Sequence, residues 1–138
     1  SHVLPALLRR FHEARERGDG QVTLWGTGTP RREFLHVDDL AEAVLFLLER
    51  HDSSDTLNIG TGQDITIDEL ARLVARVVGY QGEIAYDSTR PDGTPRKLLD
   101  VSRIHALGWR HRISLSEGLV STYRWFVENQ AVSSGNPA

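Results

Sequence analysis

The sequence has neither cysteine nor methionine among its 138 residues. Without cysteine, disulfides, zinc–thiolate sites and cysteine nucleophiles are excluded within this chain. The missing methionine has a different meaning, because a natural open reading frame begins with one and this chain begins Ser1-His2-Val3. We therefore expect the chain to be a piece of a larger protein.

Long apolar runs are also missing. The longest aliphatic–aromatic run, residues 43–48, is far too short to span a membrane. The chain is slightly acidic, with 16 Lys+Arg against 19 Asp+Glu, whereas a nucleic-acid partner favours a basic face. We therefore expect a cytoplasmic protein of ordinary globular composition, with one domain and with neither a membrane nor a nucleic acid as its partner.

Against this acidic background, two loops carry nearly the same five residues, Gly28-Thr29-Pro30-Arg31-Arg32 and Gly93-Thr94-Pro95-Arg96-Lys97. Proline and glycine fix a sharp backbone path, and each loop ends in two cations. Guanidinium groups fit phosphate oxygens in bidentate pairs, so a phosphorylated small molecule is the first ligand to consider. The alternative is that both loops are hairpin turns with solvated ends.

Apolar spacing predicts short strands that alternate with helices, which indicates an α/β layer. Strands are predicted at residues 22–25, 34–37, 56–59 and 83–86. The first helix is predicted from Leu4 to a stop at Gly18-Asp19-Gly20, and the second from a cap at Asp38 or Asp39 onward. Further helices are predicted at residues 67–78, near 101, and at 114–128. The apolar positions of the second helix include Leu40, Ala43, Val44, Leu47 and Leu48.

The third helix has the clearest end signals. Thr66 followed by Glu69 forms a capping box, and Gly79 is the expected C-cap.

The segment Gly60-Thr61-Gly62 lies between a predicted strand and a predicted helix, as a dinucleotide-binding motif would. The third glycine of that motif falls at Ile65, however, so close helix–strand packing is not supported. We interpret the segment as a turn. Any cofactor is then held mainly by residues outside this chain.

Arg10, Trp25 and Asp92 are better candidates for a nucleotide site. Trp25 ends a predicted strand just before the first cationic loop, Asp92 lies in the second loop, and Arg10 lies on the polar face of the first helix. An aromatic ring stacks on a base or sugar, arginines neutralise a diphosphate, and a carboxylate accepts hydroxyl hydrogen bonds. The structural alternatives are a core tryptophan and an Asp-Gly turn.

Four segments resemble the GDP-L-fucose synthase family of the extended short-chain dehydrogenase/reductase superfamily. They are residues 1–12, 25–40, 58–62 and 91–100, within a likeness that covers residues 1–130. The stretch Arg-Glu-Phe-Leu-His-Val-Asp-Asp and the Asn-Ile-Gly-Thr-Gly turn are shared widely among sugar-nucleotide epimerases and dehydratases. The run Pro-Asp-Gly-Thr-Pro-Arg-Lys and the opening Ser-His-Val are much more specific to the fucose synthase branch.

The resemblance implies that residues 1–130 form the C-terminal, substrate-binding domain of an α/β, Rossmann-type enzyme, followed by a flexible tail at 131–138. Family members convert GDP-4-keto-6-deoxy-D-mannose to GDP-L-fucose by 3,5-epimerisation and NADPH-dependent 4-reduction. Their N-terminal part binds NADP(H) and holds the Ser-Tyr-Lys set and a cysteine used in epimerisation. The resemblance further implies a GDP-sugar substrate and a homodimer.

By the same match, His2 corresponds to a histidine that contacts the substrate and serves as an acid/base in epimerisation. An imidazole that titrates near neutrality suits this step. Substrate contacts are also implied for Arg10, Trp25, Arg32 and Asp92, while Arg96 and Lys97 match residues that close the site or contact the cofactor phosphate.

The other histidines are expected to be structural or surface residues; they are His12, His36, His51, His105 and His111. No metal-ligand spacing occurs in the sequence. Without the N-terminal part the chain is expected to be inactive. It is also expected to be marginally stable or aggregation-prone alone, because its short strands leave exposed edges.

Two other kinds of function remain open. One is a different nucleotide-sugar epimerase or dehydratase of the same superfamily, against which residues 91–97 count. The other is a non-catalytic nucleotide-sugar-binding module, or a folding or dimerisation domain without a ligand. An enzyme requires sequence upstream of Ser1, whereas a module does not.

Overall fold

Helices and short strands alternate along the chain in the computed structural model, which describes residues 3–50 and 57–134. In chain order the elements are α1 (Val3–Arg17), β1 (Gln21–Trp25), β2 (Arg31–Arg32), α2 (Val37–Arg50), β3 (Ile65–Thr66), α3 (Ile67–Val78), β4 (Glu83–Asp87), β5 (Arg96–Lys97), α4 (Ser102–Leu107) and α5 (Leu115–Ser134). The predicted α/β class is confirmed. None of the helices in these residues has the length and apolar character needed to cross a bilayer.

The strands β1 and β4 form a parallel pair that places two loops side by side. Gln21 lies opposite Glu83, and Trp25 lies opposite Asp87. Side chains alternate across a strand, so Val22 and Leu24 are buried while Trp25 faces outward. Because both strands end at the same edge, the loops that follow Trp25 and Asp87 begin next to each other.

Buried apolar side chains form two clusters. The large cluster joins α1, β1, α3 and α5, with Phe11, Val22, Leu70 and Leu119 among its members. The small cluster consists of Ala43, Val101, Ile104 and Trp109, beside α2 and α4.

A second sheet has the strand order β3-β2-β5 and joins segments that are distant in sequence. β2 pairs with β3 in antiparallel fashion and with β5 in parallel. In the parallel pair Arg31 lies opposite Arg96, and Arg32 lies opposite Lys97. The two cationic loops therefore pair with each other, and the alternative of two separate hairpin turns is wrong.

The predicted ends of α3 are confirmed. The Thr66 hydroxyl accepts the Glu69 backbone N–H at 3.0 Å, which is the N-cap half of the capping box. The same hydroxyl donates to the Glu69 carboxylate at 2.9 Å. Gly79 ends the helix at φ +83°, a left-handed conformation that favours glycine.

The predicted strand at residues 34–37 is wrong, because Val37 begins α2. The cap predicted at Asp38 or Asp39 is wrong as well. The His36 ring takes that place, since its Nδ1 accepts the Asp38 backbone N–H at 3.0 Å. Asp39 is buried instead and binds the segment before α5.

The apolar positions of α2 are only partly buried. Ala43 is fully buried, and Leu47 packs against the small cluster. In contrast, Leu40, Val44 and Leu48 are 42, 44 and 77% exposed. Helical spacing identified the apolar face correctly but not whether the described residues cover it.

Two further boundaries differ from the predictions. The described residues 57–59 form no strand, and residue 56 of that predicted strand lies outside the described residues, as does His51. α5 continues to Ser134, past the predicted end at Glu128 and into the segment predicted as a tail. Residues 135–138 of that segment lie outside the described residues.

Candidate nucleotide-binding site

The candidate site begins at the carboxyl end of β1. Trp25 is 67% exposed there, which makes the core alternative wrong. The Arg90 guanidinium lies over its indole ring, 4.8 Å from the ring centroid, a cation–π contact. Arg90 is anchored near the end of β4, where its backbone N–H donates to the Asp87 carbonyl at 3.2 Å. One face of the indole is therefore occupied by a cation from the neighbouring loop.

Asp92 is fixed beside this tryptophan by the first residues after β1. Its carboxylate accepts the Thr27 backbone N–H at 2.8 Å and the Thr27 hydroxyl at 2.7 Å. These hydrogen bonds lower the pKa of the Asp92 carboxyl, so the group is ionised at neutral pH. The carboxylate lies against Gly26, where an added Cβ would collide with it. Asp92 thus joins the two loops and carries a fixed negative charge next to Trp25.

Arg10 lies on α1 and reaches the same strand. Its Nη2 donates to the Thr23 carbonyl at 2.8 Å, two residues before Trp25. This contact places a guanidinium alongside β1, and the side chain is exposed. The structure therefore brings Arg10 to the strand that carries Trp25, as a binding site requires.

Arg32 links the two cationic loops. Its Nη1 donates to the Thr94 carbonyl at 2.6 Å and to the Arg31 carbonyl at 2.7 Å. Its Nη2 lies 3.0 Å from the position that a Cβ on Gly93 would occupy. The guanidinium therefore lies against the second loop, next to the residue that follows Asp92.

Arg31 and Arg96 do not stand free as phosphate ligands. Their Nε atoms donate to the two oxygens of Asp64, at 3.0 and 2.8 Å. The backbone of Lys97 completes β5. The cations that the sequence predicts at the ends of two loops form the paired strands β2 and β5 instead. The sequence also did not indicate that one carboxylate pairs with both arginines.

The turn at Gly60-Thr61-Gly62 does not offer a phosphate site. The Gly62 N–H donates to the Glu33 carboxylate at 2.5 Å, and the Thr61 hydroxyl lies 3.3 Å from the same oxygen. The backbone donor that a phosphate would use is taken by a carboxylate of the chain itself. The interpretation of this segment as a turn, rather than as a dinucleotide motif, stays a prediction that the Glu33 contact supports.

His2 lies outside the described residues, so its position relative to Trp25 stays a prediction. Three of the described histidines have structural partners, whereas the buried Nδ1 of His111 has no hydrogen-bond partner among the described residues. His12 Nδ1 lies 2.8 Å from the Tyr123 hydroxyl, His36 caps α2, and His105 Nδ1 lies 3.2 Å from Arg110. Within residues 3–50 and 57–134, no group of three or more His, Asp or Glu side chains is arranged to hold a metal ion.

Sequence reasoning missed two residues of this region, Arg90 and Asp64. Arg90 precedes Pro91 at the start of the second cationic loop, and its charge in that loop was the available signal. Its contact with Trp25 joins residues 65 positions apart. Asp64 had no comparable signal, because its partners Arg31 and Arg96 are 33 and 32 positions away. Together the described side chains form a surface for an aromatic base or sugar, an anion and a hydroxyl group. They suit recognition of a ligand rather than the breaking of bonds.

Comparison with known proteins identifies related sequences. Residues 1–60 match the NAD dependent epimerase/dehydratase family. The probable GDP-L-fucose synthase 1 of Oryza sativa is 57% identical over 129 residues, which are 94% of this chain and 39% of that protein. The GDP-L-fucose synthase of Escherichia coli is 56% identical, with 94% of this chain and 43% of that protein covered. The chain thus spans about two fifths of the length of these curated relatives.

Solved structures agree with the fold. A GDP-mannoheptose C4 reductase from Campylobacter jejuni with NADP bound is 40% identical, with a TM-score of 0.80 over 91% of this chain and 45% of that one. A GDP-L-fucose synthetase from Naegleria fowleri has a TM-score of 0.87 over 95% of this chain and 40% of that one; at 22% identity it supports the fold alone. These findings confirm the resemblance predicted from the sequence: over nearly its whole length the chain matches the C-terminal part of the GDP-L-fucose synthases, within the extended short-chain dehydrogenase/reductase superfamily.

Proposed function

We propose that this chain is the substrate-binding part of an NADPH-dependent enzyme that converts GDP-4-keto-6-deoxy-D-mannose to GDP-L-fucose by 3,5-epimerisation and 4-reduction. The observation that carries the proposal is the grouping of Arg10, Trp25, Arg32 and Asp92 where β1 and the two loops meet. The identity of 56 to 57% to proteins named GDP-L-fucose synthase supports the same substrate class.

Each of these residues supplies a different part of nucleotide-sugar recognition. Trp25, with Arg90 on one face of its ring, offers its other face to a base or sugar. Arg10 and Arg32 supply guanidinium donors for the diphosphate. Asp92 is held ionised by Thr27 and accepts hydrogen bonds from ligand hydroxyls.

His2 is proposed as the acid/base of epimerisation. Inverting C3 and C5 requires removal of a proton from one face of the sugar and its return to the other, and the 4-keto group acidifies both C–H bonds. An imidazole near its pKa exchanges protons in either direction. Lys97 is proposed to lie at the margin of the site, where it closes the site or contacts the cofactor phosphate. Arg96 is proposed to close the site through its contact with Asp64.

NADP(H) does not fit a site formed by the described residues, because Glu33 occupies the donors of the one glycine turn that resembles a dinucleotide motif. We infer that the remainder of the protein binds the cofactor, which supplies hydride to the 4-keto group. The isolated chain is accordingly proposed to be inactive, as a binding domain over residues 1–130.

The test uses the gene product that carries this chain, assayed for NADPH oxidation with GDP-4-keto-6-deoxy-D-mannose. Trp25→Ala is expected to raise KM and the Kd for GDP about tenfold or more, since stacking on one base contributes about 1–3 kcal/mol. Trp125→Ala is the matched control, because Trp125 is 63% exposed on α5 and not part of the site. His2→Gln is expected to lower kcat and leave the Kd for GDP unchanged.

The outcomes separate the competing functions. Turnover of a different nucleotide sugar, as by the similar heptose reductase, would replace the substrate and keep the enzyme class. GDP binding without NADPH oxidation would indicate a non-catalytic module. An unchanged Kd for GDP in Trp25→Ala would contradict the site itself.

We further propose a cytoplasmic homodimer that does not bind nucleic acid. The net charge of −3 supports the last point, because phosphate backbones select basic surfaces. Light scattering of the gene product checks the dimer, and a mobility shift with duplex DNA checks the absence of nucleic-acid binding.

A further inference from the structure

Asp64 precedes β3 and lies between the two cationic loops. Its side chain is 7% exposed. One carboxylate oxygen accepts from Arg31 Nε at 3.0 Å and the other from Arg96 Nε at 2.8 Å. These arginines hold the same place in two loops of nearly identical sequence, and they lie opposite each other in the β2–β5 pair.

The carboxylate has an electrostatic reason to be there. Two guanidinium groups on directly opposed residues repel each other, and a negative charge between them converts the repulsion into two attractive contacts. Burial raises the pKa of Asp64, but the hydrogen bonds and charges of Arg31 and Arg96 lower that pKa by a larger amount, so the net shift is downward. Asp64 is therefore ionised at neutral pH and holds the two loops together.

The groups proposed to contact the ligand adjoin this carboxylate bridge without being part of it. Arg32 follows Arg31 and donates to the Thr94 carbonyl. Asp92 lies four residues before Arg96 and accepts from Thr27. If the loops moved apart, Arg32 and Asp92 would move with the loops that carry them.

We propose that Asp64 is a positioning residue for a nucleoside-diphosphate ligand. It keeps the two cationic loops in register, so that Arg32 and Asp92 face one ligand without contact between Asp64 and that ligand. This inference rests on the proposed function and assigns the Nε atoms of Arg31 and Arg96 to the loop bridge rather than to phosphate.

The test compares Asp64→Asn with the wild type in the gene product that carries this chain. Asn keeps the shape of the side chain and removes its charge, and the expected result is a rise of about tenfold in the Kd for GDP and in KM, with kcat retained. The Kd for NADPH is expected to stay unchanged, which a general loss of structure would not allow. The matched control is Glu42→Gln, because Glu42 also bridges two nitrogens, Trp109 Nε1 at 3.1 Å and Arg112 Nε at 3.2 Å.

A second variant covers the case in which Asp64→Asn does not fold. Arg96→Gln removes one half of the bridge from a side chain that is 61% exposed, and a smaller rise in the Kd for GDP is expected. In the double variant of Asp64→Asn and Arg96→Gln, the two effects should be less than additive.

The inference and the proposed function fail in different ways. An unchanged Kd for GDP in both Asp64→Asn and Arg96→Gln, while Trp25→Ala weakens binding, would overturn the positioning role alone. An unchanged Kd in Trp25→Ala would overturn the site on which it rests. Equal losses of GDP and NADPH binding in Asp64→Asn would also overturn the positioning role.

Discussion

Thirteen of the described residues are buried in the large cluster, between α1, β1, α3 and α5, whereas four are buried in the small cluster beside α2 and α4. Around the large cluster, apolar periodicity and burial agree, as along α3, where Leu70, Val74 and Val78 are all buried. Around the small cluster they disagree, because Val44 and Leu48 of α2 are 44 and 77% exposed.

This difference shows which region carries the stability of the chain. Free energy of folding comes mainly from apolar surface removed from water, and α2 leaves much of its apolar surface exposed. A contiguous exposed apolar face also favours association with another surface. We therefore expect the large cluster to determine unfolding and the α2 region to determine aggregation.

The largest expected effect compares equal deletions in the two clusters. Leu70 and Ile104 are both 0% exposed, one in each cluster. Leu70→Ala should destabilise by about 4–5 kcal/mol, because the close-packed surroundings cannot collapse into the cavity, and Ile104→Ala by about 2 kcal/mol. Urea unfolding of both variants checks this. Equal losses would mean that the small cluster is packed as rigidly as the large one.

A smaller effect is expected at the carboxylate that ties α2 to the segment before α5. Asp39 is 2% exposed, and its two oxygens accept the backbone N–H groups of Arg112 and Ile113, each at 3.0 Å. Asp39→Asn replaces one acceptor with a donor that faces an N–H, at an expected cost of about 1–3 kcal/mol. Asp38→Asn is the matched control, since the Asp38 side chain is 78% exposed and should change stability by less than about 0.5 kcal/mol. Equal losses in the two variants would contradict the bridging role of Asp39.

The parts of the fold that sequence could predict are those with local causes. The capping box of Thr66 and Glu69 and the left-handed Gly79 act within a few residues, so both ends of α3 follow from the sequence. The two-residue strands β2 and β5 do not, since they exist only through pairing across 65 positions and have no apolar period. Apolar spacing instead predicts a strand at residues 34–37, because it depends on apolar side chains and not on pairing between distant segments.

The candidate site divides in the same way. Trp25 could be chosen as an aromatic residue at a predicted strand end, and Arg32 and Asp92 from their positions in the two cationic loops. Arg10 could be chosen as a cation on the polar face of the first helix. Asp64 could not, because nothing in a sequence shows that one carboxylate lies between two arginines from loops far apart in the chain. The types of the candidate residues thus indicate what a site binds, whereas the residues that position the site can be identified only from the structure.

Lowering the pH should reduce the stability of the two regions in different pH ranges. Burial, with the nearby charges of Arg110 and His111, lowers the pKa of His105 beside the small cluster from 6.5. A lowered histidine pKa gives stability that is present above about pH 6.5 and lost as pH falls through the folded-state value. In the large-cluster region, the Tyr86 hydrogen bond lowers the pKa of Asp68 from 3.8, so its contribution is lost only below about pH 4.

Urea unfolding at about pH 7.5, 5.5 and 3 measures both steps. His105→Gln should reduce the loss of stability between the first two values and leave the second step intact. Tyr86→Phe should reduce only the second step, because it removes the main cause of the lowered Asp68 pKa. Loss of both steps in His105→Gln would show that the two regions do not titrate separately.

The smallest effect on stability is expected on the exposed face of α2. Leu48→Gln changes a side chain that is 77% exposed, so the free energy of unfolding should change by less than about 0.5 kcal/mol. The same change should raise the concentration at which the isolated chain aggregates, because it removes apolar surface that other copies can contact. Val22→Gln is the contrasting variant, since Val22 is 3% exposed and its replacement should unfold the chain. Light scattering against concentration, with thermal melts, measures both properties. A sharp, cooperative melt of the wild-type chain without aggregation would contradict the expected marginal stability, and would show that the large cluster alone is sufficient.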